Sequence, residues 1–118
     1  MDSELEQIFK VQIIYAYDNA KHAHNEVFSD REDKHVIIGH LSIASSYINS
    51  AKSIYACNLD RLGRPEFDDF FHCFNTFIKE AMNCIRTDHS HQWTSIEYER
   101  MKEEFKGVAL LLGIEGIE

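Results

Sequence analysis

Helix-breaking residues are scarce in this chain, with one proline and five glycines among 118 residues. Their rarity argues against an architecture cut into many short turns and favours long uninterrupted elements. Cysteine is also sparse. Cys57, Cys73 and Cys84 are odd in number, have no CxxC spacing and follow no signal-peptide pattern, which excludes a disulfide framework and leaves free thiols in a reducing compartment as the expectation. The longest apolar run, Val108 to Leu112, is far too short to cross a bilayer, so a cytoplasmic protein with no membrane partner is expected. Basic residues are the minority, twelve against twenty acidic ones, for a formal charge of -8. They form no patch or stripe suited to a phosphate backbone, and a dedicated DNA-binding role is excluded on that ground. The chain also lacks a glycine-rich phosphate loop, an internal repeat and a low-complexity tract, and no cofactor is expected.

What the chain does contain is enough apolar material for one core. Hydrophobic residues make up 44% of it, which at this length sustains a single domain without metal or disulfide staples. Helical spacing organises that material into four segments. The first, from about Glu4 to Phe28, carries Leu5, Ile8, Phe9, Ala16, Ala20, Ala23 and Val27 on one stripe, widened by Val11, Ile14 and Tyr15. Asp30 or Asp33 is placed to cap the second, from about Lys34 to Asn58, whose stripe is Ile37, Leu41, Ala44, Ile48, Ala51 and Tyr55.

The strongest break follows at Leu59 to Glu66, where Gly63 permits a left-handed turn and Pro65 suits the first turn of a new helix. A third helix, from about Pro65 to Arg86, carries Phe67, Phe70, Phe71, Phe74, Phe77, Ile78, Ala81 and Ile85, and the rings on one side form the centre of the core. The fourth starts near Ser90 or Thr94 and ends at Leu112, with Trp93, Met101, Phe105, Val108 and Leu112 facing inward and Gly113 as its C-terminal cap. Short links between long helices imply antiparallel neighbours, so the expected fold is all-α, an antiparallel four-helix bundle.

Seven histidines prompt a search for chemistry. Asp18, His22 and Glu26 are spaced four apart on one helical face, the pattern of a carboxylate and imidazole row and equally of solvated surface pairs. The set lacks the Glu-x-x-His repeated on partner helices that marks di-metal bundles, and no metal centre is expected. His40, beside Leu41, falls in an inward sector and needs partners for its ring nitrogens; Asp18, His22 or a tyrosine across the bundle are the candidates. Acidic residues supply a second theme. Asp30, Glu32 and Asp33 form one group, Asp68 and Asp69 another, and Glu97, Glu103 and Glu104 a third. Such groups suit a basic protein partner, and the leading functional expectation is an acidic helical module that masks a partner's basic surface as an adaptor, antitoxin, immunity or inhibitor protein. A homodimer through Val11, Ile14 and Tyr15 is a further option.

The densest polar stretch is RTDHSHQW, Arg86 to Trp93, at the junction of the third and fourth helices. Its default role is a polar interhelical turn, with Trp93 anchoring the start of the last helix. Within it, Arg86 and His91 form Arg-x-x-x-x-His. That spacing in a small all-helical domain resembles the HEPN superfamily, whose active members are often dimeric, metal-independent ribonucleases with Arg-x(4-6)-His. The resemblance implies RNA as the substrate, Arg86 stabilising the transferring phosphate and His91 acting as acid or base. Thr87 stands where that family more often carries Asn, Asp or His.

Overall fold

The computed structural model describes residues 4–28, 33–87 and 92–114. Among them are α1 (Glu4–Val27), α2 (Lys34–Cys57), a single turn α3 (Leu59–Leu62), α4 (Pro65–Thr87) and α5 (Gln92–Leu112), with no strand. The fold is all-α. Its long dimension is 44 Å against 26 and 20 Å across. A helix of 24 residues, the length of α1 and α2, is itself about 36 Å long, so the long helices run with the long axis of the molecule.

Local chemistry fixes where the helices begin and end. Asp33 caps α2: its Oδ1 accepts from the His35 and Val36 amides at 2.9 and 3.4 Å, satisfying donors that have no partner inside the helix. Pro65 opens α4, where a missing N–H costs nothing. Gly113 closes α5 with φ +68°, and the Ile114 amide reaches back to the Ala109 carbonyl at 2.9 Å, the hydrogen bond of a Schellman turn. Gly63 differs from expectation. Its φ is -62°, so no left-handed turn exists there. Glycine is needed instead because a Cβ would collide with the Leu59 carbonyl oxygen. The break itself is partly helical, since Leu59–Leu62 forms a turn that buries Leu62.

Side-chain pairs show how the helices meet. Along the contact of α1 with α2, Phe9 meets Tyr55, Tyr15 meets Tyr47 and His22 meets His40; residue numbers rise on one helix as they fall on the other. The same opposition joins α1 to α5, through Tyr17 with Phe105 and His24 with Tyr98. It also joins α4 to α5, through Phe70 with Phe105 and Phe77 with Tyr98. Phe9 is fully buried and touches the rings of Tyr55, Phe67 and Phe71, tying α1, α2 and α4 together at one end. Below Tyr55, whose ring is also buried, its hydroxyl faces the start of α4. It shares its proton between the Arg64 carbonyl and Asp68 Oδ2, both at 3.1 Å, and accepts from the Arg64 amide at 3.3 Å.

The α2 stripe is buried as the spacing predicts, as are the five phenylalanines and Ala81 of α4, with Cys84 added at its end; Ile78 and Ile85, expected inward, are only half-buried. In α1 the buried set is Phe9, Ile13, Ala16, Tyr17, Ala20, Ala23 and Val27, while Ile8 is 47% exposed. In α5, Trp93 is 60% exposed and does not anchor the helix. Thr94, Tyr98, Met101, Phe105 and Val108 take the inward face at spacings of three and four, which turns Trp93 to the side that carries Glu97. Thr94 is therefore a buried residue inside α5, beside the Cys84 thiol, and not its cap.

Candidate functional site

The acidic residues singled out in the sequence separate once they are placed. Asp30 and Glu32 lie outside the described residues. Asp33 is occupied as the cap of α2, and its own amide donates to Glu26 Oε2 at 3.1 Å. Asp68 accepts from the buried Tyr55 hydroxyl. It turns toward α2, while its neighbour Asp69 belongs to the α5 side of α4. Glu103 pairs with Lys106 at 2.9 Å, both well exposed, and such a pair adds little stability.

Three of the acids bear on one thiol. Cys73, half-buried on α4, senses the charges of Glu104, Glu97 and Asp69, with Arg100 the opposing cation. Burial pushes the Cys73 thiol up from its usual value, and the three carboxylates push it further in the same direction because each disfavours a thiolate. Glu97 is held by Arg100 at 3.1 Å, with the carboxylate largely covered and the guanidinium 63% exposed. Asp69 sits one turn before Cys73, and Glu97 and Glu104 are seven apart, two turns along the facing side of α5. On the α4 and α5 seam, three carboxylates and one guanidinium thus act on one thiol.

That arrangement yields a direct check. Replacing Glu97 and Glu104 by Gln should lower the Cys73 pKa and accelerate its alkylation at pH 8 severalfold, roughly in proportion to the added thiolate. Mass spectrometry of the alkylated peptide reads this without interference from exposed Cys57 or buried Cys84. An unchanged Cys73 rate would mean that the carboxylates do not act on the thiol.

Of the described histidines, His22, His24 and His40 make surface and interhelical side-chain contacts. Asp18 and His22 approach to 3.4 Å with both side chains more than half exposed, while Glu26, the third member of that row, receives the Asp33 amide. His40 Nδ1 lies 3.1 Å from Asn19 Oδ1. The Asn19 amide nitrogen donates to the Tyr15 carbonyl at 2.9 Å, which fixes the amide orientation and makes His40 Nδ1 the donor. Its ring faces His22 at 5.3 Å, as anticipated for an inward-leaning histidine. No group of three side chains suited to a metal ion occurs among the described residues.

His24 was not distinguished by its spacing to other polar residues, yet its ring makes a closer stack than the His22 and His40 pair. Its ring stacks on Tyr98 at 3.9 Å and 4°, and Nε2 lies 3.2 Å from Ser95 Oγ. Tyr17 stacks on Phe105 at 3.8 Å and 5°. The signal was present as two matched pairs, Tyr17 with His24 and Tyr98 with Phe105, each seven residues apart on helices that meet. The Tyr17 hydroxyl is buried and makes no hydrogen bond of standard geometry among the described residues. Burial, then the adjoining Tyr98 phenol and Glu99, push its pKa far up.

Arg86 is exposed on the last turn of α4, where Nη2 donates to Asn83 Oδ1 at 3.0 Å. His91, with Asp88 and His89, lies outside the described residues, so the structure describes one half of the Arg86 and His91 pair. Comparison with protein-family models, with curated proteins and with solved structures returns no match.

Proposed function

We propose that the chain is a protein-binding module of the adaptor, antitoxin, immunity or inhibitor type, which uses the acidic seam of α4 and α5 to cover a basic surface on another protein. The pairing of α4 with α5 through Phe70, Phe77, Tyr98 and Phe105, which sets Asp69, Glu97 and Glu104 where all three bear on Cys73, carries this reading. Opposed only by Arg100 in the electrostatics of that thiol, these charges steer a basic partner into contact and fix its orientation, while desolvated side chains at the centre of the contact supply most of the affinity. The architecture we read from the opposed side-chain pairs is an antiparallel four-helix bundle of α1, α2, α4 and α5, a frame that holds α4 and α5 rigidly side by side. No described helix is long and apolar enough to cross a membrane, and the reading places the protein in the cytoplasm, where its thiols stay reduced.

The test is native capture with the wild-type chain and with a triple variant, Asp69→Asn, Glu97→Gln and Glu104→Gln, at low and moderate salt. A basic protein recovered by the wild type, lost from the variant and weakened by salt supports the reading. Identical recoveries from the two chains, or no partner at either salt concentration, contradict it.

A further inference from the structure

The α2 and α4 contact opens into a groove that the acidic seam does not use. Ile38 from α2 and Ile78, Met82 and Ile85 from α4 form its walls around a volume of about 640 Å³. Lys79, Asn83 and Arg86 stand along its edge. A second hollow of about 270 Å³, floored by Leu41 and edged by Ser42 and Ser45, shares Ile78 and Met82 with the first and continues it along α2. From Ile38 to Ser45 the trough runs for seven residues of helix, about 10 Å.

Two features select an occupant. The walls are aliphatic, and Ile38 and Met82 are 36% and 40% exposed, so an apolar chain laid between them removes surface from water that the fold leaves wet. The charges along the edge are both positive, in a chain of net charge -8. Among the described residues, Lys79 and Arg86 enter no ion pair with a carboxylate and no acidic side chain lines either hollow. They sit seven residues apart on one face of α4, with Met82 between them. The guanidinium offers a planar fork for a carboxylate and the ammonium a second point charge. The volume is that of a small-molecule site.

We propose that this groove binds a free single-chain carboxylate amphiphile, its head group held by Arg86 and its acyl chain lying from Ile85 and Ile38 toward Met82 and Ile78, with Lys79 adding a second positive charge to the edge. Met82, unbranched and flexible, adapts the wall to the chain. The site is independent of the acidic seam.

Dodecanoate below its micelle concentration is the probe, followed by titration calorimetry, with dodecanol and dodecyltrimethylammonium as the neutral and cationic counterparts. One dodecanoate should bind per chain, and the double variant Lys79→Gln, Arg86→Gln should weaken it about tenfold or more, the loss expected on removing charge-assisted contacts, with dodecanol unaffected. Both replaced side chains are exposed and the helical circular dichroism should not change. Met82→Asp, which sets an anion into the wall, should abolish dodecanoate binding. The proposal is overturned if dodecanoate does not bind, if the cationic amphiphile binds as well, or if the double variant binds dodecanoate unchanged. It is equally overturned if an acidic amphipathic helical peptide or anionic phospholipid vesicles bind through Lys79 and Arg86 while dodecanoate does not.

Discussion

Phe9→Ala should cost the fold about 3–5 kcal/mol, the range for removing a buried phenylalanine ring, read as a lower urea midpoint. Phe9 is fully buried and its ring meets Phe67 edge-on at 5.1 Å, Phe71 at 6.4 Å and Tyr55 at 6.3 Å. Those partners belong to α2 and α4, and Tyr55 in turn holds the α2 to α4 connection through Arg64 and Asp68. The void therefore opens where three helices converge, a place with little freedom to collapse around it. Because small domains retain only about 5–15 kcal/mol of net stability, the variant should lose a large share of it. Ile8→Ala is the matched control. That side chain is 47% exposed, and a surface substitution should shift stability by no more than about 0.5 kcal/mol. Equal losses at the two neighbouring positions would show that α1 is rotated from the face assigned to it.

Stability should also fall steeply above pH 10. Tyr17, Tyr55 and Tyr98 all have phenol pKa values raised above the ordinary 10.0, in each case chiefly because burial disfavours the phenolate. Glu99 adds to the rise at Tyr17 and Tyr98, and Asp68 adds to it at Tyr55. A folded pKa above the unfolded one means stability that is fully present below pH 10 and lost as the pH climbs toward the folded value, because the unfolded chain releases the proton first. Each phenol protonated in the fold and ionised in the unfolded chain contributes a slope of about 1.4 kcal/mol per pH unit. Three together make the decline among the largest effects available. Cys73 and Cys84, raised above 9.0 mainly by burial, start the decline somewhat earlier. Urea midpoints measured from pH 8 to 11 give the slope, and Tyr17→Phe should reduce it by one phenol's share. A flat profile through pH 11 would contradict the burial of all three.

The helices were legible in the sequence to different degrees, for physical reasons that differ between them. In α2, Ile37, Leu41, Ala44, Ile48, Ala51 and Tyr55 recur at unbroken spacings of three and four, so the period selects the buried face although Val36, Ile38 and Ile43 remain exposed on the others. In α1, apolar residues occupy nearly every sector from Ile8 to Tyr17, and the period cannot choose among them. The small residues Ala16, Ala20 and Ala23 mark the true centre because two neighbouring helices crowd that face. Trp93 misled for a related reason: its size suggested an anchor, but the inward face of α5 is set by Tyr98, Met101 and Phe105.

The candidate site was legible as residue types and not as a constellation. Asp68 and Asp69 look equivalent in the chain, yet one turn angle sends the first to Tyr55 and the second toward the acids of α5. Asp33 reads equally well as a cap and as a surface charge until its hydrogen bonds are placed. Which carboxylates share a field depends on how α4 and α5 pair, and that pairing follows from Phe70, Phe77, Tyr98 and Phe105 in the core.

The measurement that bears most directly on the acidic seam is the salt dependence of binding to the basic partner recovered by capture, compared between the wild type and the Asp69→Asn, Glu97→Gln, Glu104→Gln variant. Affinity should fall at least about tenfold in the variant at low salt, equivalent to about 1.4 kcal/mol. The difference should shrink as salt screens the wild type, and thermal stability should stay close to that of the wild type. Equal affinities and equal salt slopes for the two chains would contradict a function carried by this face.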